Sequence, residues 1–264
     1  MSELRVAAIQ TSPAFGEIAD NLEAALALVP PGLDLAVLPE LCTTGYQFRG
    51  REELRDLAEP ADGPTARRLA DKAATTGTTL VAGFAERDGE RLYNSSLLVR
   101  PDGTTALYRK VHLFWDEKLL FEPGDLGFPV FAACGTTLGM MICFDWIFPE
   151  AARTLARRGA KLLAHPSNLV LPHCPDAMVT RCLENRCFAV TANRVGHEAR
   201  IEGRRLDFIG RSQVCGPRGA PLARLGGDAA GAAVARLDLA DADPRLTPRN
   251  DLWEDRRPDQ YAGD

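Results

Sequence analysis

The chain has 264 residues, 45% of them hydrophobic and 25% charged, with a formal net charge of −5. That composition belongs to a globular protein with a substantial core, expected as one domain over residues 1–264. Its arginines, as in Arg67-Arg68 and Arg157-Arg158, are scattered among acids rather than gathered in a basic stripe, which argues against nucleic acid as a partner, and no apolar run reaches the ~20 residues that span a bilayer.

LRVAAIQ (4–10) is an apolar run of strand length. A helix is expected from Asp20-Asn21-Leu22-Glu23 to the stop at Pro30-Pro31, followed by a strand over LDLAVLPE (33–40). GPTARRLADKAATTG (63–77) reads as a helix that begins after Gly-Pro and ends at Gly77. TTLVAGFAE (78–86) and RLYNSSLLVR (91–100) read as strands joined through Asp88-Gly89, and Pro101-Asp102-Gly103 turns the chain into a further strand, TTALYRK (104–110). In the second half TTLGMMIC (136–143), KLLAHPS (161–167), FAVTANRVG (188–196) and AAVARLDL (232–239) read as strands. FPEAARTLARRGA (148–160) and PDAMVTRCLENRC (175–187) read as helices, and FIGRSQVCGPRGAPLARL (208–225) as a hairpin. From about residue 240 the tail is polar and irregular. Strands alternating with helices indicate layered α/β packing. Apolar runs such as LAVLP and MMIC indicate strands covered on both faces.

Seven cysteines cannot all pair, so reduced thiols are expected. The start, MSELRVAAIQTSP, lacks a basic segment followed by a long apolar stretch, so no secretory leader is expected and the cytoplasm is the expected compartment. Cys182 lies near Cys187, and His165 and His173 lie near Cys174, but the ligand spacings of a zinc site are absent and no metal is expected.

Three polar or reactive residues directly follow apolar or β-rich runs: Glu40 after LAVLP, Lys110 after ALYR and Cys143 after LGMMI. Strand ends are where α/β proteins place ligand and catalytic groups. Singly, each has a plain reading, as a solvated carboxylate, a surface ammonium or a small buried thiol. Together they are complementary. A thiol attacks as thiolate, and a neighbouring ammonium favours that form; the start of the helix at 148 adds its dipole. A carboxylate can carry the thiol proton to a leaving amine, and an ammonium can hold the oxyanion on an attacked carbonyl. A Cys143–His165 pair of the protease kind is the competing enzyme reading, and it leaves Glu40 and Lys110 without a role.

LPELCTTGY, YRKVHLF and CFDWIFPEAAR resemble, in this chain order, the three signature segments of the nitrilase superfamily of carbon–nitrogen hydrolases. LFWDEKLLFEPGD (113–125), HPSNLV (165–170), RCLENRCFAVTANRVG (181–196) and GRSQVCGPRGAPL (210–222) are similar to later landmarks of that family, so the resemblance covers nearly the whole chain. It implies a four-layer α-β-β-α sandwich. It also implies Glu40 as general base, Lys110 as oxyanion stabiliser, Cys143 as nucleophile, Glu117 as a second glutamate that positions substrate, and the backbone N–H of Phe144 as the second oxyanion donor. The chemistry so implied needs no metal, nucleotide or organic cofactor.

Cys-Phe-Asp at 143–145 is similar to the amidase and carbamoylase branches rather than to the Cys-Trp-Glu of most nitrile-cleaving members. Trp146-Ile147-Phe148 stands where carboxylate-binding carbamoylases carry arginines. The segment also resembles carbamoylputrescine amidases, which need an acid for the substrate amine, and Asp176 is a weak candidate for it. Tyr46, Trp115, Trp146 and Asn168 are the expected substrate-pocket residues, although core packing explains Trp146 equally well. His165 reads as structural, while Arg181, Glu184, Asn185 and Arg186 read as buttresses of the fold or of a subunit contact. A small aliphatic amide ranks first as substrate, an N-carbamoyl compound second and a nitrile third. A binding protein that kept the fold and lost the chemistry is the contrasting class. The tail NDLWEDRRPDQY (250–261), within a segment of about 240–264, resembles the family segment that crosses a subunit interface, which implies a homodimer or larger assembly.

Overall fold

The computed structural model describes residues 3–261, so the last three residues of the expected interface tail lie outside the described residues. In the first half the elements are β1 (Glu3–Gln10), α1 (Ile18–Ala27), β2 (Leu35–Val37), α2 (Arg51–Leu57), α3 (Pro64–Thr76), β3 (Thr79–Asp88), β4 (Arg91–Val99), β5 (Thr105–Arg109) and α4 (Glu117–Leu120). The second half holds β6 (Val130–Ala133), β7 (Thr136–Met140), α5 (Pro149–Arg157), β8 (Leu162–Pro166), α6 (Cys174–Asn185), β9 (Phe188–Ala192), β10 (His197–Ile201), β11 (Arg204–Asp207), β12 (Gln213–Gly216), β13 (Ala220–Arg224) and β14 (Gly231–Asp238). The tail adds a ribbon of β15 (Arg245–Thr247) and β16 (Asn250–Asp251), where an irregular segment was expected.

Two six-stranded sheets form, ordered β14-β1-β2-β3-β4-β5 and β13-β12-β9-β8-β7-β6. Each has a parallel centre, β1-β2-β3 or β7-β8-β9, flanked by antiparallel strands. The alternation of side chains along a strand creates the layers. Val6, Ala8, Leu35, Val37 and Val81 pack towards the second sheet, in one cluster with Leu138, Met140, Leu163 and Val190. Their neighbours Ala7, Ile9, Ala36, Leu80 and Ala82 turn the other way and meet Leu22 and Leu26 of α1 and Leu69 and Ala73 of α3. On the far side α5 and α6 cover the second sheet through Ala151, Leu155, Met178 and Cys182. The result is the four-layer α-β-β-α sandwich. Strands with both faces buried explain why LAVLP and MMIC read as unbroken apolar runs.

The strands that lead to the reactive residues are shorter than expected. β2 stops at Val37, two residues before Pro39, which cannot donate to a ladder. β7 stops at Met140, and Met141 adds one further bond to Ala164 (3.0 Å) before the chain turns. The unexpected β10–β11 ribbon, HEARIEGRRLD, is charged and mostly exposed, so it carries no apolar period to read. Among the described residues no helix is long and apolar enough to cross a membrane.

Candidate active site

Glu40, Lys110 and Cys143 leave the C-terminal ends of β2, β5 and β7. The segment Leu38–Cys42 runs beside β3, tied by Leu38 N to Val81 O (2.7 Å), Gly83 N to Pro39 O (3.1 Å) and Cys42 N to Gly83 O (3.1 Å). Gly83 permits that approach, since a Cβ there would strike the Glu40 Cα. Lys110 is pinned on the outer strand of the same sheet: its N–H donates to Asn94 O and its carbonyl accepts from Gly124 N, both at 2.8 Å. Gly124 also needs its missing Cβ, which would strike the Arg109 carbonyl.

The side chains meet in a dry cluster. The Lys110 ammonium lies 2.6 Å from Glu40 Oε1 and 2.8 Å from Glu117, and all three side chains are at most 3% exposed. Glu40 Oε1 also accepts from Asn94 Nδ2 (2.6 Å), whereas Glu40 Oε2 is buried with no partner among the described residues. Glu117 accepts from the Tyr46 hydroxyl (2.7 Å) and from Phe114 N–H (3.0 Å). Burial alone would push the Lys110 ammonium down, but Glu117 and Glu40 outweigh it and hold the group well above the usual lysine range, charged. Burial and the nearby Glu40 push Glu117 up, against the pull of Lys110. Burial, with Glu40 and Glu117 adding to it, raises the Cys143 thiol well above its ordinary value, while Lys110 and the Asn168 backbone N–H act in the opposite direction. At rest the sulfur keeps its proton.

Cys143 opens a 3-10 turn, Cys143–Ile147, and its φ of +39° is strained for a residue with a Cβ. Asp145 braces that turn. Its buried carboxylate accepts from Ile142 N (2.8 Å), Tyr108 OH (2.7 Å), His112 N (3.2 Å) and His112 Nδ1 (2.8 Å). Tyr108 and His112 flank Lys110, so Asp145 joins the lysine strand to the cysteine turn. His165 supports the turn from below. Since a carbonyl only accepts, Nε2 carries the hydrogen and donates to Cys143 O (2.9 Å), and Nδ1 faces the Thr191 hydroxyl (3.1 Å). Burial pushes His165 down to about 4, so the ring is neutral at pH 7. It bonds the backbone of Cys143, not the thiol.

Cys143 opens on a small cavity walled by Phe114, Phe144, Trp146, Leu169 and Leu171, with Asn168 as the one polar side chain. Phe144 packs on Phe114 with centroids 5.0 Å apart. Of the expected pocket residues, Trp146 and Asn168 reach this cavity. Tyr46 reaches the cluster through Glu117 instead. Trp115 is 54% exposed and lines a separate cavity beside Tyr46 and Phe121, with Arg204 over its ring. Asp176 is exposed and faces Arg224 at 3.5 Å. Arg181 holds Trp146 O (3.2 Å), and Arg186 holds Pro217 O in the β12–β13 turn and Asp243 O at the tail. Among the described residues no His, Cys, Asp and Glu side chains converge as a metal site would require.

Sequence reasoning missed the bracing role of Asp145, the Asn94 bond to Glu40, and Glu198. The Glu198 carboxylate accepts from Tyr46 N (3.1 Å) and Gln47 N (2.6 Å) and pairs with buried Arg194, so it fixes the loop that carries Tyr46. Asp145 had a signal in the Cys-Phe-Asp triplet. Glu198 had none, because the loop amides it holds, at Tyr46 and Gln47, lie about 150 residues away in the chain.

The family model for carbon-nitrogen hydrolases matches residues 5–245. The chain belongs to the carbon-nitrogen hydrolase family. This hydrolase is 45% identical to a nitrilase of Pyrococcus abyssi, with 98% of this chain and 99% of that protein covered. It is 36% identical to an (R)-stereoselective amidase of a Pseudomonas species, over 89% of this chain and 85% of that one. Among solved structures it is similar to a double mutant of the amidase from Nesterenkonia sp. AN1 in complex with acrylamide. That match has a TM-score of 0.80 and 29% identity, and covers 98% of this chain and 96% of that one. The carbon-nitrogen hydrolase is therefore an amidase- or nitrilase-like enzyme of the nitrilase superfamily.

Proposed function

We propose that this enzyme hydrolyses small, uncharged aliphatic amides to carboxylate and ammonia through a thioester on Cys143. The observation that carries the reading is the dry Glu40–Lys110–Glu117 cluster, with Lys110 charged and Glu40 Oε2 left free. Because the thiol is protonated at rest, its proton passes to Glu40 Oε2 as sulfur attacks the amide carbon. The S–C bond forms and the carbonyl becomes an oxyanion, held by Lys110 and the Phe144 N–H. The oxyanion collapses and the C–N bond breaks. The nitrogen takes the proton from Glu40 and leaves as ammonia. Water then gives its proton to Glu40 and attacks the thioester; the C–S bond breaks and the proton returns to sulfur. Glu117 and Tyr46 keep the ammonium aimed throughout.

The walls of the cavity favour an aliphatic acyl group. None of the side chains lining it is charged, as a carbamoyl amino acid or a carbamoyl diamine would require. Nitrile hydrolysis is the second reading, favoured by the 45% identity to a nitrilase. Ammonia release from matched short amides, nitriles and N-carbamoyl compounds tests the proposal, with Cys143→Ala alongside. Release from amides that Cys143→Ala abolishes is the expected result. Release from nitriles alone transfers the site to the second reading. More than trace amide activity in Cys143→Ala ends the thioester scheme.

A further inference from the structure

We infer that the Asn168 carboxamide reads the departing nitrogen of the substrate, with Oδ1 accepting an N–H of the scissile amide. This makes Asn168 a specificity-determining residue for amides over substrates that offer no N–H at that position, and it rests on the amide reading above.

Asn168 sits in the loop between β8 and α6, is 3% exposed, and lines the cavity onto which Cys143 opens. Among the described residues neither its Oδ1 nor its Nδ2 has a partner. Buried amides almost always find partners, because leaving one unpaired is costly. Loose packing does not explain the exception, for the loop is held on both sides of Asn168. Ser167 N donates to Ala192 O (2.8 Å), Leu169 N donates to Asn193 Oδ1 (2.8 Å), and Leu169 O accepts from Ile209 N (3.0 Å). Asn193 is itself tied to Gly210 O (2.6 Å). A firmly placed loop thus delivers an unsatisfied carboxamide into an otherwise apolar cavity beside the nucleophile.

A primary amide brings one acceptor and two donors. In the proposed reaction its oxygen is taken by Lys110 and the Phe144 N–H. The groups left for Asn168 are the N–H donors. As the C–N bond breaks and the nitrogen gains the proton from Glu40, those N–H groups become stronger donors. The contact therefore tightens towards the transition state and raises kcat rather than lowering KM alone. A nitrile, or an ester of the same acyl group, presents no N–H there, and a site built to bond an N–H discriminates against analogues that lack it.

The test compares wild type with Asn168→Leu on a short primary amide and on the p-nitrophenyl ester of the same acid. Asn168→Leu is expected to lower kcat/KM on the amide by at least ~100-fold and on the ester by less than about threefold. Its Tm is expected to rise by about 2 °C or more, since an unpaired buried amide has been replaced by an apolar group of similar size. Asn168→Ala, which leaves more room, should show the same split between amide and ester. Equal losses on both substrates in Asn168→Ala would assign Asn168 to cavity shape and overturn the inference. Unchanged amide turnover in both variants would overturn it as well. A wild-type enzyme inert to the amide but active on the ester or nitrile sinks the underlying amide reading, and this inference with it, before any variant is compared.

Discussion

On the side of the site built from the first sheet each charged side chain meets an opposite charge, with Glu40 Oε2 left free, whereas on the side built from the second the backbone is strained and a whole carboxamide is left unpaired. Lys110 sits between Glu40 and Glu117, and those carboxylates take further donors from Asn94, Tyr46 and Phe114. On the second-sheet side Cys143 holds a φ of +39°, and the Asn168 side chain has no partner among the described residues. The difference follows from what each wall must do. An ammonium buried without counter-charges would lose its proton, so Lys110, the proposed electrophile, requires a closed set of ion pairs. Cys143, the proposed nucleophile, must instead project from its backbone towards a ligand, so its side of the site tolerates strain and open hydrogen-bonding capacity.

The largest effect is expected from breaking the closed set. Lys110→Met leaves two buried carboxylates facing each other, which costs about 3–5 kcal/mol. Chemical denaturation should show that loss, and ammonia release should fall to background. A variant of near wild-type stability would mean that the carboxylates are not paired through Lys110, and the contrast between the walls would disappear.

Acid should attack the other wall first. His165 supports Cys143 as a neutral ring, with its folded value near 4 against an ordinary 6.5. Between those values the unfolded chain holds the proton and the folded chain does not. Stability is therefore fully present above about pH 6.5 and is lost as pH falls towards 4, by about 3 kcal/mol in all. Denaturant midpoints of wild type and His165→Gln over pH 5–7 check this. The wild-type curve should be steeper by nearly one proton, and parallel curves would mean that His165 is not held neutral by the fold.

Asp145→Asn sharpens the comparison, because Asp145 is the one carboxylate that touches both walls. The amide is isosteric but turns a donor towards two of the four donors that the carboxylate now accepts. The expected cost is about 2–3 kcal/mol, with kcat/KM lower by about 100-fold from the misplaced thiol. Melting and steady-state rates separate the two effects. A stability loss without a rate loss would make Asp145 a brace of the fold that does not set the Lys110–Cys143 geometry.

How much of this was legible in the sequence differs between the walls in the same way. Glu40, Lys110 and Cys143 could be read because each directly follows an apolar or β-rich run. The layer count and Glu117 came from resemblance, since periodicity distinguishes neither two sheets from one nor one loop acid from another. Asn94 reaches Glu40 only because β4 lies between β3 and β5, and Glu198 reaches Tyr46 only because the β10–β11 ribbon folds back over that loop. Register and long-range return of this kind leave no local pattern. Trp115 shares its aromatic character with Trp146, which is all the sequence offers, yet its side chain lines a different cavity, beside Tyr46 and Phe121.

Tyr46→Phe probes the paired wall most gently. The phenol is raised well above its ordinary value by burial and by Glu117 and Glu40, so it remains a neutral donor at every pH of interest. Removing it takes one of the bonds on Glu117 but leaves the ion pair with Lys110 and the Phe114 N–H in place. The ring stays against Phe208, and the loop stays fixed by Glu198. The stability cost should therefore be only about 1–2 kcal/mol, and kcat/KM should fall about tenfold, in kcat rather than KM, because the carboxylate that aims the ammonium is loosened rather than lost. A loss as large as that of Lys110→Met would show that the phenol contacts substrate directly. No loss at all would show that two bonds suffice to hold Glu117, and that pairing on this wall exceeds what the ammonium requires.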